Sequence, residues 1–187
     1  MLDIFNYILV AILIGVSATW IVLIKSMLRT FNESPFLDKF EKKECSKPKV
    51  SIILPARNEE KFIEKCLNSL LNQDYDNYEI IAINDSSKDS TGNIIKKYSK
   101  KFPKVISVDA KPKPDGWIGK NWACIEGYKK ASGDLLLFTD ADTTHTSSVI
   151  SLAVSHLLSL ELDALTVIPR MLCLDKITKI TLPMIST

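Results

Sequence analysis

The sequence predicts an α/β protein with a mostly parallel sheet and helices on both faces, preceded by one membrane-spanning helix. From residue 49 onward, short apolar runs alternate with segments of helical periodicity. Such alternation is typical of strands joined by helical crossovers. The first residues are instead almost continuously apolar. With 187 residues, the chain has room for one domain of ordinary size with a sizeable core.

The N-terminal apolar segment, residues 4–24, is long enough to cross a bilayer. Asn6 is its only strongly polar residue, and a helix of about 20 apolar residues spans a hydrocarbon core of roughly 30 Å. A cleaved signal peptide expects basic residues at its start, whereas the leading charge here is Asp3. We therefore expect a membrane anchor over residues 1–28, with a signal peptide and a buried soluble helix as alternatives.

The charges around this segment predict its orientation. Lys25 and Arg29 follow the apolar run, and positive charge is enriched on the cytoplasmic side of membrane helices. We expect a protein of the cell membrane with Met1 outside and everything after Lys25 in the cytoplasm. Residues 29–48 are charged and too polar for a core, which predicts a juxtamembrane linker.

Five strands and four helices are predicted after this linker. Apolar runs bounded by turn residues indicate strands, and apolar residues spaced by three and four indicate helices. The strands are predicted over residues 50–54, 78–83, 105–108, 135–138 and 164–168. The helices are predicted over residues 62–71, around Ile94, Ile95 and Tyr98, over 121–130 and over 148–160. Pro55 is expected to stop the first strand, and Asn58 is available as an N-cap for the first helix.

Composition excludes several classes of function. The formal net charge of +2 indicates no polyanionic partner, so nucleic acid binding is not expected. The four cysteines are widely scattered and form no Cys-x-x-Cys pair, which favours neither a zinc site nor a disulfide framework: Cys45, Cys66, Cys124 and Cys173.

Polar residues follow three of the predicted strands, at residues 55–60, 84–87 and 140–142. Parallel strands present their carboxyl ends at one edge of a sheet, where open α/β folds bind ligands. Asp140 and Asp142 close a strongly apolar strand that we expect to be buried, and their oxygens suit Mg²⁺ or Mn²⁺ together with a phosphate. Helix capping is the alternative for some of these polar residues.

These segments resemble the family 2 glycosyltransferases of GT-A fold, a Rossmann-like nucleotide-diphospho-sugar transferase fold. The resemblance covers residues 49–170 and rests on Val50-Ser51-Ile52-Ile53-Leu54-Pro55-Ala56-Arg57-Asn58-Glu59-Glu60, on residues 83–91 and on the acidic pair. Residues 116–123, Gly-Trp-Ile-Gly-Lys-Asn-Trp-Ala, look more like membrane-associated members that glycosylate lipids, among them hopanoid-associated and carotenoid glycosyltransferases.

The resemblance implies a role for each matching residue. It implies a nucleotide-sugar donor, a UDP-sugar by preference, and a divalent cation, Mn²⁺ or Mg²⁺. Asp85 would accept a hydrogen bond from the base, and Asn84 stands where the family often has a first acid. The predicted donor-binding residues are Pro55, Ala56, Arg57, Glu59, Asp85, Lys120 and Asp140, and the predicted metal ligands are Asp142 and Asp140. His145 is a weaker metal candidate, and Trp117 and Trp122 are candidates for a sugar or lipid groove.

The family places its catalytic base in a later acidic motif that has no match here. We therefore expect that the chain holds the donor half of an inverting transferase with a lipid acceptor. Residues 171–187 are predicted as an apolar tail that begins a missing acceptor or membrane region. The alternatives are a non-catalytic donor-binding subunit completed by a second chain, and a nucleotidyltransferase. The latter expects a glycine-rich loop after the first strand, and residues 55–60 contain no glycine.

Overall fold

The computed structural model describes residues 2–33, residue 37 and residues 46–167. The chain divides into two units, one that contains the N-terminal helix and one that contains the α/β fold. The predicted apolar tail over residues 171–187 and most of the predicted linker lie outside the described residues.

The N-terminal helix, α1, spans Leu2–Glu33 and continues past the predicted end of the anchor at residue 28. Its stretch Asp3–Arg29 is 27 residues long, and by length and composition it is able to cross a membrane. Its apolar side chains are exposed, as those of Ile4, Tyr7 and Leu13 show. The structure therefore agrees with the predicted helix.

The α/β unit is built around a parallel sheet of four strands in the order β3-β2-β1-β4. The strands are β1 Val50–Ala56, β2 Tyr78–Asn84, β3 Val105–Asp109 and β4 Leu135–Phe138. The helices are α2 Ile63–Leu71, α3 Thr91–Lys101, α4 Gly119–Tyr128 and α5 Val149–Ser159. The predicted fold class is confirmed, and four of the five predicted strands are present.

Helices cover both faces of the sheet because the strands are apolar on both faces. Alternate residues of β1, including Ile52 and Leu54, pack with apolar residues of α2, α3 and α5 in one core cluster. Ile53 of β1 packs on the opposite face, with Ile81 and Ile83 of β2 and with Ala123 of α4. Burial on both faces is typical of parallel sheets.

Pro55 does not end β1, contrary to the prediction. The strand continues to Ala56, which pairs with Asn84. The Lys49 and Ile53 carbonyls accept hydrogen bonds from Leu135 N and Thr139 N. The backbone N–H and C=O groups of odd-numbered residues of β1 are therefore directed toward β4. Since β4 ends at Phe138, the missing N–H of Pro55 costs the sheet no hydrogen bond.

The strand predicted over residues 164–168 is not formed within its described part. Residues 164–167 have no regular structure, and Val167 is 45% exposed. Without a neighbouring strand an apolar run gains neither hydrogen bonds nor burial, so its composition alone does not make it a strand. Consequently β4 is an edge strand among the described residues, and it is not fully buried as predicted, because Leu136 and Phe138 are exposed.

Helix α2, the first helix after β1, begins one residue later than predicted. Phe62 precedes α2 and is 49% exposed, and Asn58 does not cap the helix. Asn58 has a positive φ of 57° and lies in the turn after β1. Asparagine tolerates this left-handed conformation better than most residues, which explains its place in the turn.

A buried polar group stabilises the amino end of the sheet. The Glu79 carboxylate accepts hydrogen bonds from the Ser51 hydroxyl at 2.6 Å, from the Lys49 ammonium at 2.7 Å and from Ser132 N at 2.8 Å. Burial raises the pKa of Glu79, but these hydrogen bonds outweigh it and lower the pKa to about 2. Gly133 is required beside them, because a Cβ there would lie 2.7 Å from Lys49 O.

Candidate functional site

The turns after β1 and β2 are joined into one surface at the carboxyl edge of the sheet. Asp85 N donates to Ala56 O at 2.9 Å, and Glu59 N donates to the Thr91 hydroxyl at 2.8 Å. Asn58 completes the connection, since its Oδ1 accepts from Lys88 N at 2.8 Å. Asn58 therefore serves to hold the two turns together, a role that its capping type did not reveal.

Asp89 provides a second link between the same turns. Its carboxylate accepts from Thr91 N at 3.0 Å, from the Thr91 hydroxyl at 2.6 Å and from Glu60 N at 3.1 Å. Burial raises the pKa of Asp89, but the hydrogen bonds from Thr91 and Glu60 together lower it below its ordinary value. Asp89 thus satisfies the first N–H of α3, whereas Ser90, the N-cap residue of α3, makes no side-chain capping hydrogen bond.

Asn84 has a structural position. Its Nδ2 donates to Asp109 Oδ1 at 2.9 Å, and its Oδ1 accepts from Ser87 N at 3.2 Å. Gly92 packs against this side chain, because a Cβ at Gly92 would lie 2.8 Å from Asn84 Nδ2. Asn84 therefore joins the ends of β2 and β3 and shapes the turn that carries Asp85.

Asp85 faces the start of α4. Arg57 Nη1 lies 3.6 Å from Asp85 Oδ2, and the Asp85 side chain is only 13% exposed while that of Arg57 is 59% exposed. A Cβ on Gly119 would lie 3.3 Å from Asp85 Oδ2 and 3.8 Å from Arg57 Nη1. The chain thus brings a mostly buried carboxylate, an exposed guanidinium and the N-terminus of α4 together.

Lys120 and Asp140 form an ion pair on the same edge. Lys120 Nζ donates to Asp140 Oδ1 at 2.6 Å, and both side chains are more than half exposed. The hydrogen bond to Asp140 is the main cause that raises the pKa of Lys120. The predicted phosphate-binding lysine and a predicted metal ligand are therefore in direct contact.

Glu59 lies close to the acidic pair. Its pKa is raised, first by burial and then by the negative charges of Asp142, Asp89 and Asp140. Negative charge is thus concentrated where a cation would relieve it. In the described part of the chain no group of three or more His, Cys, Asp or Glu residues is arranged to hold a metal ion. Two carboxylates still fit a cation that completes its coordination with water and phosphate.

His145 is a positioning residue for the acidic turn. Its Nε2 lies 2.9 Å from the Thr139 hydroxyl and its Nδ1 lies 3.4 Å from the Ser69 hydroxyl, so both ring nitrogens have protein partners. The Thr143 hydroxyl donates to Asp140 O at 2.7 Å within the same turn. Burial lowers the pKa of His145. The ring connects α2 to the end of β4.

The two tryptophans hold the loop before α4. Trp117 and Trp122 pack edge to face with ring centroids 5.4 Å apart, and Trp122 Nε1 donates to Lys111 O at 2.8 Å. Trp117 remains 42% exposed. Of this pair, only Trp117 offers a large free ring surface for a groove.

The remaining predicted residues, Pro55 and Ala56, contribute in a different way. The Ala56 side chain is buried, at 2% exposure, and its carbonyl is used by Asp85. Pro55 is half-buried at the end of β1. Their contribution to the site is therefore the course of the backbone, and the polar side chains come from the turns that follow.

This chain is similar in sequence to known glycosyltransferases. The glycosyl transferase family 2 profile matches residues 51–176. A probable glycosyltransferase of Bacillus subtilis, YdaM, is 34% identical over 142 residues, which is 70% of this chain and 33% of that protein. A 4,4'-diaponeurosporenoate glycosyltransferase of Staphylococcus haemolyticus is 40% identical over 93 residues, which is 50% of this chain and 24% of that protein.

Solved structures share the fold. Staphylococcus aureus TarS 1-349 in complex with UDP-GlcNAc has a TM-score of 0.53 and 27% identity, over 66% of this chain and 38% of that chain. The mannosyltransferase PcManGT of Pyrobaculum calidifontis, in complex with GDP-Man and Mn²⁺, has a TM-score of 0.56 and 22% identity, over 73% and 39% of the two chains. This chain therefore spans only about a quarter to two fifths of these proteins. With the family profile matched from the first strand onward, the chain belongs to glycosyl transferase family 2.

Proposed function

We propose that this chain provides the membrane anchor and the donor-binding half of an inverting glycosyltransferase, which transfers a sugar from a nucleotide-diphosphate donor to a lipid acceptor. The proposal keeps the domain bounds predicted from the sequence, with an anchor at 1–28, a linker at 29–48, a donor-binding domain at 49–170 and an apolar tail at 171–187. The observation that carries the proposal is the convergence of Asp85, Lys120 and the acidic pair on one sheet edge.

Asp85 is suited to bind the base of the donor. Its carboxylate is mostly buried, and it is held by the Asp85 N to Ala56 O hydrogen bond and by Arg57. A fixed carboxylate accepts a hydrogen bond from an N–H on a base edge, and uracil offers one. The UDP-GlcNAc complex of TarS supports a uridine nucleotide, whereas the GDP-Man complex of PcManGT shows that the fold also accommodates guanosine.

Asp140 and Asp142 are suited to hold a divalent cation beside the diphosphate. Carboxylate oxygens are the ligands that Mg²⁺ and Mn²⁺ prefer. Burial first, and then the negative charges of Asp142, Asp89 and Asp140, raise the pKa of Glu59, and a cation would offset those charges. When bound, the cation would neutralise charge on the departing diphosphate. The Mn²⁺ in the PcManGT complex supports this class of cofactor.

The chain's own residues orient and stabilise the donor. Lys120, on the first turn of α4, would bind diphosphate oxygens, and Arg57 would bind phosphate or acceptor from the opposite turn. Transfer by a single in-line displacement inverts the anomeric centre and needs a base to deprotonate the acceptor hydroxyl. The turns after β1, β2 and β4, together with Lys120 of α4, would bind the sugar donor in that reaction.

The lipid acceptor and the cytoplasmic orientation are proposed from two features. Helix α1 is able to cross a membrane, and Lys25 and Arg29 follow its apolar part. The diaponeurosporenoate glycosyltransferases and the poly(ribitol-phosphate) beta-glucosyltransferase among its relatives act on acceptors of different kinds. The 40% identity to the former, together with the anchor, favours a lipid.

Donor binding by the full chain in detergent micelles tests the proposal. Calorimetric titration with UDP is expected to show binding with Mn²⁺ or Mg²⁺ present and little binding with a chelator. Asp142→Asn is expected to weaken metal-dependent binding by about tenfold or more, because a charged ligand of the cation is lost.

Asp76→Asn is the matched control. It makes the same chemical change at an exposed residue just before β2, at the amino end of the sheet, and should leave UDP binding unchanged. Equal binding with and without divalent cations, or an equal loss in both variants, would show that the acidic pair does not serve a metal-bound donor.

A further inference from the structure

The ion pair between Lys120 and Asp140 places the predicted diphosphate ligand on the predicted metal ligand. Asp140 Oδ1 cannot accept the Lys120 ammonium at 2.6 Å and coordinate a cation with the same lone pair. A divalent cation bound to the same carboxylate would also lie close to the Lys120 ammonium, and the two positive charges would repel each other. Lys120 therefore occupies Asp140 Oδ1, and a cation that coordinates this oxygen in the same direction must displace the ammonium.

We propose that Lys120 is a resident counter-ion of Asp140 that moves to the donor diphosphate on binding, so that cation and donor bind cooperatively. The proposal rests on the donor site described above and concerns the order and coupling of binding at that site. Without donor, a cation must displace an ammonium that gains only water in exchange. With donor, the ammonium gains phosphate oxygens, and Asp140 is released for the cation.

The structure allows this exchange without movement of the helix. Helix α4 is fixed on the sheet by Ala123, which is fully buried against Ile53 and Ile81. The Lys120 side chain is 60% exposed and that of Asp140 is 54% exposed, so both are free to change rotamer in solvent. Only the four-carbon stem of Lys120 has to swing.

The exposure of the pair also limits the size of the effect. Exposed ion pairs are weak, equivalent to no more than about a fivefold change in an equilibrium constant. The pair therefore discourages a metal ion in the absence of donor without blocking it. A stronger, buried pair would leave Asp140 unavailable even when the diphosphate arrives.

Linkage makes the proposal quantitative. The factor by which UDP increases Mn²⁺ affinity equals the factor by which Mn²⁺ increases UDP affinity. In the wild-type chain this factor contains the release of Asp140 by Lys120 as well as direct contact between metal and phosphate. In Lys120→Gln the first contribution is absent, so the coupling factor should fall.

The test is Mn²⁺ binding to the full chain in detergent, measured from the paramagnetic resonance signal of free Mn²⁺, with and without UDP. Lys120→Gln is expected to bind Mn²⁺ alone roughly two- to fivefold more tightly than wild type. The same variant is expected to bind UDP in saturating Mn²⁺ about tenfold more weakly, because one charge-assisted contact is lost.

Lys88→Gln is the matched control, because it removes one positive charge from the exposed turn after β2. It should leave Mn²⁺ affinity unchanged. An unchanged or weaker Mn²⁺ affinity in Lys120→Gln would overturn the proposal, as would an equal gain in Lys88→Gln or no millimolar Mn²⁺ binding to Lys120→Gln. Tighter Mn²⁺ binding in Lys120→Gln with no UDP binding to wild type would refute the donor site, and with it the movement of Lys120 to a diphosphate, while the pairing of Lys120 with Asp140 against a cation would stand.

Discussion

Asp85 Oδ2 lies 3.6 Å from Arg57 Nη1, and the same oxygen would lie 3.3 Å from a Cβ on Gly119. One carboxylate thus connects the turn after β1 with the first residue of α4. Because its side chain is mostly buried and the guanidinium is mostly exposed, Asp85 is the rigid member of the pair. A rigid carboxylate is suited to select a base, and an exposed guanidinium is suited to contact a phosphate.

We first predict that Asp85→Asn weakens UDP binding by about 10- to 100-fold, because a hydrogen bond to a charged acceptor is replaced by one to a neutral amide. The preference for UDP over CDP should fall as well, since cytosine lacks the N3–H of uracil. Competitive displacement of a fluorescent UDP analogue by each nucleotide measures both effects. A retained preference for UDP would mean that Asp85 does not contact the base.

The second prediction concerns the space beside Asp85. Gly119→Ala should weaken UDP binding several-fold, because the new Cβ would lie 3.3 Å from Asp85 Oδ2 and displace that carboxylate slightly. The melting temperature should stay the same or rise, since alanine favours a helix more than glycine does, by up to about 1 kcal/mol in a helix interior. Thermal unfolding and UDP titration on one preparation separate the two effects.

Gly15→Ala is the control for this substitution. Gly15 lies within α1, and a Cβ there would meet nothing within 4 Å. UDP binding should be unchanged in that variant. A loss of stability in Gly119→Ala together with the loss of binding would instead indicate that α4 has shifted as a whole.

The third prediction places acid sensitivity at the opposite end of the sheet. The pKa of Glu79 is about 2 in the folded chain, against 4.5 when unperturbed, because hydrogen bonds from Lys49, Ser51 and Ser132 outweigh burial. The unfolded state therefore takes up the proton first as the pH falls. This contribution to stability is complete above pH 4.5 and is lost as the pH falls toward 2.

Glu79→Gln should reduce stability by about 1–3 kcal/mol at pH 7, because buried hydrogen bonds lose a charged acceptor. It should also flatten the fall in unfolding free energy between pH 5 and pH 3. Urea unfolding across this range, followed by circular dichroism, provides the measurement. Asp115→Asn, at an exposed acid before α4, should keep the wild-type slope; an equally steep slope in Glu79→Gln would contradict the assignment.

Prediction and structure differ where an element depends on a neighbouring strand, because the local sequence pattern carries no information about that neighbour. The four strands from residue 50 to residue 138 were predictable because their apolar runs are buried or partly buried on at least one face. Pro55 was misread because its tolerance depends on where β4 ends, which is a property of the neighbouring strand. The strand at residues 164–167 was predicted wrongly because a strand requires a neighbouring strand, and these residues pair with none in the described part of the chain. The apolar composition of a segment does not show whether such a neighbour exists.

The site was predictable in its composition and not in its contacts. The position of polar residues after strands indicated that Asp85, Asp140 and Glu59 would share an edge, because parallel strands end together. The ion pair of Lys120 with Asp140 depends on side-chain direction, which spacing does not specify. The polar group around Glu79 was missed because its members lie far apart in the sequence and follow no motif.

The last prediction concerns His145, whose ring lies between the Ser69 and Thr139 hydroxyls. His145→Ala should lower stability by about 1 kcal/mol at pH 7.5 and weaken Mn²⁺-dependent UDP binding, because the turn that carries the acidic pair loses the side-chain part of its connection to α2. Urea unfolding and UDP titration measure the two effects.

The pH dependence separates this role from simple packing. Burial lowers the pKa of His145 below the ordinary value of 6.5, so the unfolded state binds the proton first as the pH falls below 6.5. Folding stability at His145 is therefore complete above pH 6.5 and declines below it. The decline between pH 7.5 and pH 5.5 should be smaller in His145→Ala and should persist in His156→Ala, which removes the other histidine. An unchanged decline in His145→Ala would show that the ring is not held neutral between α2 and β4, and the loss of UDP binding would then need another cause.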